Sequence, residues 1–323
     1  MARREGVTIT DRGDRREVAL PGPYRERGRR VDGPTVFATR FAGPTVEALL
    51  AVKGPEWLKD EIDRSEDPDY VARSIASAFG RQVAFAGRRV LDFGCGCGAT
   101  SVVLARAGAD VAGVDPDGPS IAAARRRAQD AGITACFARV GPDARLPFRD
   151  AAFDVVVAYQ VFEHIPPPAR ASQARELWRV VRPGGHLLLS APNRWWPFEL
   201  HTTRLWWVPW LPERVGIRYA VWRGRLPRGA ERDARLAEGV RGVAFGDVRA
   251  WLPGDAVVVN PLGPGDLAAW LGLSRARREP AQRRAAKACA YVGLRLAGTA
   301  VARAGVPPAA LLPYLHLVIE RRR

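Results

Sequence analysis

From Arg88 to Ser190 the chain repeats one local grammar: a short apolar run, a glycine-bearing turn, then a stretch with helical spacing. The apolar runs are Val90–Phe93, Asp110–Asp115, Ala135–Val140, Phe153–Tyr159 and His186–Ser190, with helical stretches over Ala99–Ala107, Ser120–Ala131 and Ala169–Val181 between them. Strands and helices alternating at this interval demand crossover connections, so the spacing predicts an α/β fold with a mostly parallel sheet covered on both faces. Flanking segments read differently. Val7–Thr10 and Val18–Leu20 flank Arg12-Gly13 as a short hairpin would, and the rest of residues 1–33 reads as a mobile tail. Between Thr45 and Phe79 the apolar spacing is helical, in three short pieces. After Pro192 come residues crowded with tryptophan and proline, then a basic helical stretch at Ala281–Ala302 and a closing strand at Leu315–Ile319. The expected organisation is a charged tail and helical extension over 1–80, a core over 81–193, an insertion or lid over 194–274, and a basic helix and closing strand over 275–323.

Composition excludes several classes. A hydrophobic content of 47% rules out wholesale disorder. The longest apolar stretch, Ala304 to Ile319, holds Pro307, Pro308 and Pro313, which excludes a spanning helix there. Four scattered cysteines and a start without an apolar run lead to the expectation of a reducing cytoplasm. The formal charge is +16, and residues 275–323 carry +9 of it, a basic face that favours an anionic partner.

The chemistry sits in Asp92-Phe93-Gly94-Cys95-Gly96-Cys97-Gly98. Glycines between a strand end and a helix start let a ligand approach bare backbone. Gly94-x-Gly96-x-x-Ala99, with Asp115 downstream, also satisfies a dinucleotide fingerprint. Asp92 argues the other way, because a carboxylate beside the loop suits a cationic amine better than a pyrophosphate. Cys95 and Cys97 read as small residues, since two thiols are too few for a zinc site and no metal is expected.

Further landmarks follow in order: Asp115, Asp143-Ala144-Arg145-Leu146-Pro147-Phe148, Phe153-Asp154-Val155-Val156, Phe162-Glu163-His164 and Arg182-Pro183-Gly184-Gly185. With the glycine loop they resemble class I S-adenosylmethionine-dependent methyltransferases with small-molecule or lipid-precursor acceptors, over about Arg88 to Asn193. The resemblance implies a Rossmann-like core and S-adenosyl-L-methionine as cofactor. It implies that Asp92 and the backbone of Gly94, Cys95, Gly96 and Gly98 hold the methionyl end, and that Asp115 takes the ribose hydroxyls. Asp143 and Ala144 would meet the adenine, with Gln160 beside the sulfonium and acceptor. An acceptor hydroxyl needs a base, for which Glu163, His164, Glu199 and His201 qualify by chemistry; an architectural role explains Glu163-His164 equally well.

Trp195, Trp196, Trp206, Trp207 and Trp210 lie within sixteen positions, among Pro197, Pro209 and Pro212. The segment resembles an insertion of methyltransferases associated with cell-surface glycan and glycolipid assembly. It reads as a packed subdomain, an apolar acceptor pocket or a membrane-contacting lip, folded over by its prolines. The implied function is methyl transfer, to oxygen first, on a small or lipid- or glycan-linked acceptor, with peripheral contact to an anionic membrane at its inner face. Competing readings are an RNA methyltransferase, opposed by Tyr159-Gln160-Val161-Phe162 after the fourth strand, and a non-catalytic cofactor-binding protein. A nicotinamide oxidoreductase is opposed by the landmarks beyond the glycine loop.

Overall fold

In the computed structural model of the 323-residue chain, the residues described are 2–4, 6–79, 82–141, 145–199, 202–226, 228–229, 242–259, 280–303 and 305–323. They fall into two compact units, residues 1–159 with 179–186, and residues 160–178 with 187–323.

The first unit holds the alternating region. Strand β7 (Arg89–Phe93) leads through the glycine loop to α3 (Ala99–Arg106), β8 (Asp110–Asp115), α4 (Gly118–Asp130), β9 (Ala135–Arg139) and β10 (Phe153–Tyr159). β8 pairs in parallel with β7 and with β9, while β10 returns to the opposite side of β7 in the register Val157↔Asp92. The chain therefore reverses its direction of travel across the sheet between β7 and β10, where open α/β sheets bind ligands beyond the carboxyl ends of their strands. Val90, Leu91, Val155, Val156 and Val157 are fully buried, as strands covered on both faces require. The whole strand order is β12-β13-β11-β10-β7-β8-β9, with β11 at Val181–Pro192, β12 at Ala256–Val258 and β13 at Tyr314–Arg321. Parallel pairing dominates the part read from sequence, and the late strands β12 and β13 pair antiparallel.

The described residues of 1–33 do not form the mobile tail expected outside the hairpin. The Val7–Asp11 strand (β2) pairs with Arg16–Leu20 (β3) as the turn at Arg12-Gly13 predicts, and Ala2–Arg4 (β1) and Thr35–Thr39 (β6) extend them to a four-stranded antiparallel sheet. Val7, Ile9, Val18 and Leu20 face one way and pack with Val46, Leu49, Leu50 and Leu58 of α1 (Gly43–Glu66). A hairpin of Tyr24–Glu26 (β4) and Arg29–Val31 (β5) docks its charges on α1: Arg25 Nε donates to Glu56 at 2.8 Å, Lys59 Nζ to Glu26 at 2.8 Å, and the Gly28 N–H to Asp60 at 2.6 Å. Pairing, rather than repulsion into solvent, is the fate of this charge-rich stretch.

The helical reading of Thr45–Phe79 holds, with its first break at Gly54, whose φ of +70° interrupts α1 just before Pro55. α2 spans Val71–Phe79. Helix α1 is tied to the core at three places. Arg106 Nη1 donates to the Ser65 carbonyl at 2.7 Å, the Ala42 N–H donates to Asp130 at 2.6 Å, and Arg127 donates to both the Glu61 carboxylate and its carbonyl at 2.8 Å. Arg127 is fully buried and lies 5.5 Å from the Phe41 ring centroid. Burial opposes a charge on Glu61, yet Arg127, Lys53 and Arg64 together hold its carboxyl below the usual range.

In the second unit α5 (Pro167–Val180) contributes Arg170, which donates to the Ile165 carbonyl at 2.8 Å and the Gly242 carbonyl at 2.9 Å. Helix α6 spans Glu213–Trp222, and further helices span Phe245–Trp251 and Ala281–Arg303. Among the described residues no helix is long and apolar enough to cross a membrane.

Removing one partner of a buried ion pair leaves the other uncompensated. Arg127→Ala should therefore cost about 3–5 kcal/mol of unfolding free energy in denaturant titration. A loss under about 1 kcal/mol would show that the pair does not clamp α1.

Candidate functional site

The end of β7 and the loop after it are shaped by three positive φ angles, +71° at Gly94, +50° at Gly96 and +81° at Gly98. Gly98 is also required by space, because a Cβ there would lie 2.9 Å from the Ala124 Cβ. At Gly96 a Cβ would meet no protein atom within 4 Å, so that glycine serves backbone geometry and access rather than packing. The loop's amides are spoken for. Gly94 and Cys95 donate to the Val114 carbonyl at 2.8 and 3.0 Å, Gly98 to the Cys95 carbonyl at 2.9 Å, and Gly96 to Asp115 Oδ2 at 2.9 Å.

Asp115, at the end of β8, takes the Gly96 N–H on one oxygen and the Asp117 N–H on the other at 2.9 Å. Asp117 in turn caps α4 by accepting from the Ser120 N–H at 2.9 Å. The carboxylate is thus fixed in place while each oxygen keeps a lone pair for a further donor.

Asp92 is almost fully buried and accepts from Ser101 Oγ at 2.6 Å. Burial pushes its carboxyl up to about 7; the Ser101 hydrogen bond opposes this, Asp115 adds to it and Arg64 opposes it. Arg64 was not singled out in the sequence. It lies on α1, 5.9 Å from the Tyr70 ring centroid, and its charge reaches Asp92, Asp60 and Tyr159. Its signal was its helical position, three residues beyond Glu61 and six beyond Leu58, but nothing in the sequence tied that helix to the glycine loop. Cys95 and Cys97 are buried with their thiols pushed up by burial, which makes thiolate chemistry unfavourable.

A methyltransferase domain family matches residues 91–189. Ubiquinone biosynthesis O-methyltransferases are similar over about a third of the chain: the Ralstonia nicotianae protein is 37% identical over 109 residues, 34% of this chain and 45% of that one. The Pectobacterium atrosepticum protein is 36% identical over 108 residues, 33% and 44% respectively. A solved SAM-dependent methyltransferase structure from Methanosarcina mazei is 29% identical, covering 36% of this chain and 57% of that one, with a TM-score of 0.34. The chain spans just under half the length of these curated relatives. Residues 91–189 form a methyltransferase domain.

Of the residues predicted for this methyltransferase domain, Asp92, Gly94, Cys95, Gly96, Gly98 and Asp115 come together at the ends of β7 and β8. Asp143, Ala144 and His201 lie outside the described residues. Gln160, Glu163 and His164 fall in the second unit. Gln160 holds a φ of +57° and donates its N–H to the Ser190 carbonyl at 2.8 Å, a strained backbone for a non-glycine residue. Glu163 is 0% exposed, its carboxyl oxygens have no hydrogen-bond partner in another residue among the described residues, and burial pushes its carboxyl up to about 8 against the pull of its own backbone N–H and of Arg170. His164 is exposed, with its N–H donating to the Val161 carbonyl at 2.9 Å. Glu199 is buried and accepts from the Thr202 N–H at 2.9 Å, the Thr203 hydroxyl at 2.9 Å and the Thr203 and Arg204 N–H groups. Those bonds make it the organiser of a tight turn.

The raised carboxyl of Asp92 has a stability consequence. The folded chain binds a proton that the unfolded chain has lost above pH 4, so stability falls as pH rises from about 4 through 7. Asp92→Asn removes that charge, and should be more stable than the parent at pH 8 by on the order of 2–4 kcal/mol. Denaturation at pH 5 and pH 8 checks this: the gap between the two proteins should widen with pH, and a constant gap would overturn it.

Proposed function

We propose that this chain transfers a methyl group from S-adenosyl-L-methionine to an oxygen of a small-molecule acceptor, lipid- or glycan-linked and met at an anionic membrane surface. The observation that carries the cofactor reading is the buried Asp92 beside a loop whose Gly94, Cys95, Gly96 and Gly98 amides already donate within the protein. A pyrophosphate needs free N–H donors; a loop offering a carboxylate and backbone carbonyls favours an ammonium instead. In this reading Asp92 holds the amino group of the cofactor and Arg64 its carboxylate, a pairing suited to an amino-acid end. Asp115, already pinned by two amides, accepts both ribose hydroxyls. Asp143 and Ala144 are assigned to the adenine, and Gln160 to the methyl-bearing end. The names of the similar ubiquinone biosynthesis O-methyltransferases support oxygen as the methylated atom.

When bound, the cofactor supplies an activated methyl on a sulfonium, so the protein's work is to align the acceptor and exclude water, effects worth about 7–11 kcal/mol of a barrier. A hydroxyl acceptor also needs its proton removed. His201 and His164 have the chemistry for it near neutral pH. Glu163 is the third candidate: burial keeps it protonated below about pH 8, so it would take the acceptor's proton only above that pH.

Calorimetry with S-adenosylhomocysteine, methylthioadenosine and NAD tests the cofactor assignments. Asp115→Ala should weaken both sulfur nucleosides by roughly 30- to 1000-fold, as loss of charge-assisted hydrogen bonds does. Arg64→Ala and Asp92→Asn should weaken S-adenosylhomocysteine at least tenfold while leaving methylthioadenosine, which lacks the amino-acid end, unchanged. Parent affinity for S-adenosylhomocysteine should rise about tenfold from pH 6 to pH 8 as Asp92 ionises, and Asp92→Asn should lose that dependence. Tight NAD binding, or a parent indifferent to pH, would overturn the reading.

For the base, His201→Ala should lower turnover of a hydroxyl acceptor by roughly 10²–10⁴-fold with cofactor affinity intact. A loss below threefold would exclude His201, and His164→Ala and Glu163→Gln then rank the other two.

A further inference from the structure

We infer that the tryptophan-bearing surface of residues 194–228 docks on an anionic lipid bilayer using cations of its own segment. Trp195, Trp206, Trp207, Trp210 and Trp222 are between 52% and 77% exposed. The core beneath them is small, formed by Leu205, Val208, Ala220 and Leu226. The rings lie against one another in a chain: Phe198–Trp206 at 5.2 Å, Trp206–Trp207 at 6.2 Å and Trp207–Trp210 at 5.3 Å between centroids. Trp210 Nε1 donates to the Trp195 carbonyl at 3.2 Å, so that indole's polar edge is satisfied within the protein. Trp207 keeps a φ of +69°, an unfavourable backbone for a bulky residue that its N–H bond to the Pro197 carbonyl helps hold.

Charge identifies the occupant. Residues 194–228 contain seven arginines, all exposed, against Glu213 and the inward-turned Glu199. On α6, Arg214, Arg218 and Trp222 follow one another at four-residue intervals along a single exposed stripe. Arg223 lies 5.9 Å from the Trp222 ring centroid. A second copy of this face would oppose arginine with arginine. A nucleic acid needs open, separate ring faces for its bases, and these rings are inclined at 47–64° to one another with centroids only 5.2–6.2 Å apart. Interfacial tryptophans beside cations are the two signals that together hold a protein on an acidic membrane. The basic stretch at 275–323 is not needed for this, and its Arg275, Arg277 and Arg278 lie outside the described residues. The inference deepens the proposed function by naming where a lipid-linked acceptor is met, and rests on that reading only for its biological sense.

Flotation of the full-length protein tests it, with vesicles of phosphatidylcholine alone or mixed equally with phosphatidylglycerol, at low and high salt. The protein should float with the acidic vesicles at low salt, and stay down with neutral lipid or in high salt. Trp206→Ser/Trp207→Ser and Arg214→Glu/Arg218→Glu should each reduce partitioning at least tenfold, while S-adenosylhomocysteine affinity stays at the parent's value as proof of folding. Protein left at the bottom with acidic vesicles, or either double variant floating as the parent does, would overturn the inference. Binding of a single-stranded RNA through the same residues without flotation would assign the face to nucleic acid and overturn it too. Flotation without cofactor binding would instead leave the surface standing and remove the methyltransferase reading.

Discussion

One buried ion pair governs how the cofactor-side residues are assembled. Arg127 is on α4 and Glu61 on α1, and each compensates the other's buried charge, with Lys53 adding a longer contact to Glu61 at 3.7 Å. Arg127 binds the Glu61 carbonyl as well as its carboxylate, so the pair fixes the backbone of α1 and not merely a side chain. Arg64 stands three residues further along that helix, followed by Ser65, whose carbonyl is gripped by Arg106 of α3. The clamp thereby sets the place of a cation near Asp92. An isolated pair of this kind adds little net stability; its effect is to specify one register of α1 on the core.

The same economy runs through the loop after β7. Asp115 holds the loop by Gly96 and starts the next turn by Asp117, and Asp117 caps α4. Three successive elements are positioned by two carboxylates, so the geometry at the strand ends is set by local bonds rather than by a distant scaffold. Asp92 is held by Ser101 while Asp115 and Arg64 pull its carboxyl in opposite directions, which leaves its proton loosely decided near neutral pH. A carboxyl so placed responds to a cation entering beside it.

How much of this was legible depended on the range of the forces involved. From Arg88 to Asn193 the periodicity, the turn glycines and the acidic residues at strand ends are local signals, and the strands and helices stand where they predict, except that β11 begins at Val181 where helix and then the turn Arg182-Pro183-Gly184-Gly185 were expected. The hairpin at Arg12-Gly13 was legible, whereas the tail expected over the rest of residues 1–33 was not, because its pairing comes from partners elsewhere. Arg25, Gly28 and Lys59 find carboxylates some thirty positions away, a distance at which charge blocks look like solvated tail. The clue was present in the opposed composition of Arg25–Arg30 and Glu56–Asp69, although no local rule joins two such blocks. Arg64 escaped for the same reason. Glu199 was chemically eligible as a base, yet its role follows from the amides of Thr202, Thr203 and Arg204 turning back onto it, which residue type alone does not reveal.

The tryptophan segment shows a limit of a different kind. Its prolines forbid a continuous helix, and the chain folds back so that Phe198 bridges Trp206. Each indole carries on the order of 200 Å² of surface. The four buried residues Leu205, Val208, Ala220 and Leu226 cannot cover five such rings. Some of that apolar area must face outward, whatever the details of packing, and the rings reduce the cost by leaning on one another. A monomer rarely keeps so large an apolar patch without a partner. The exposed arginines of the same segment bias what the patch meets: an acidic, partly apolar surface satisfies both the rings and the charges, and a neutral or purely aqueous one does not satisfy both.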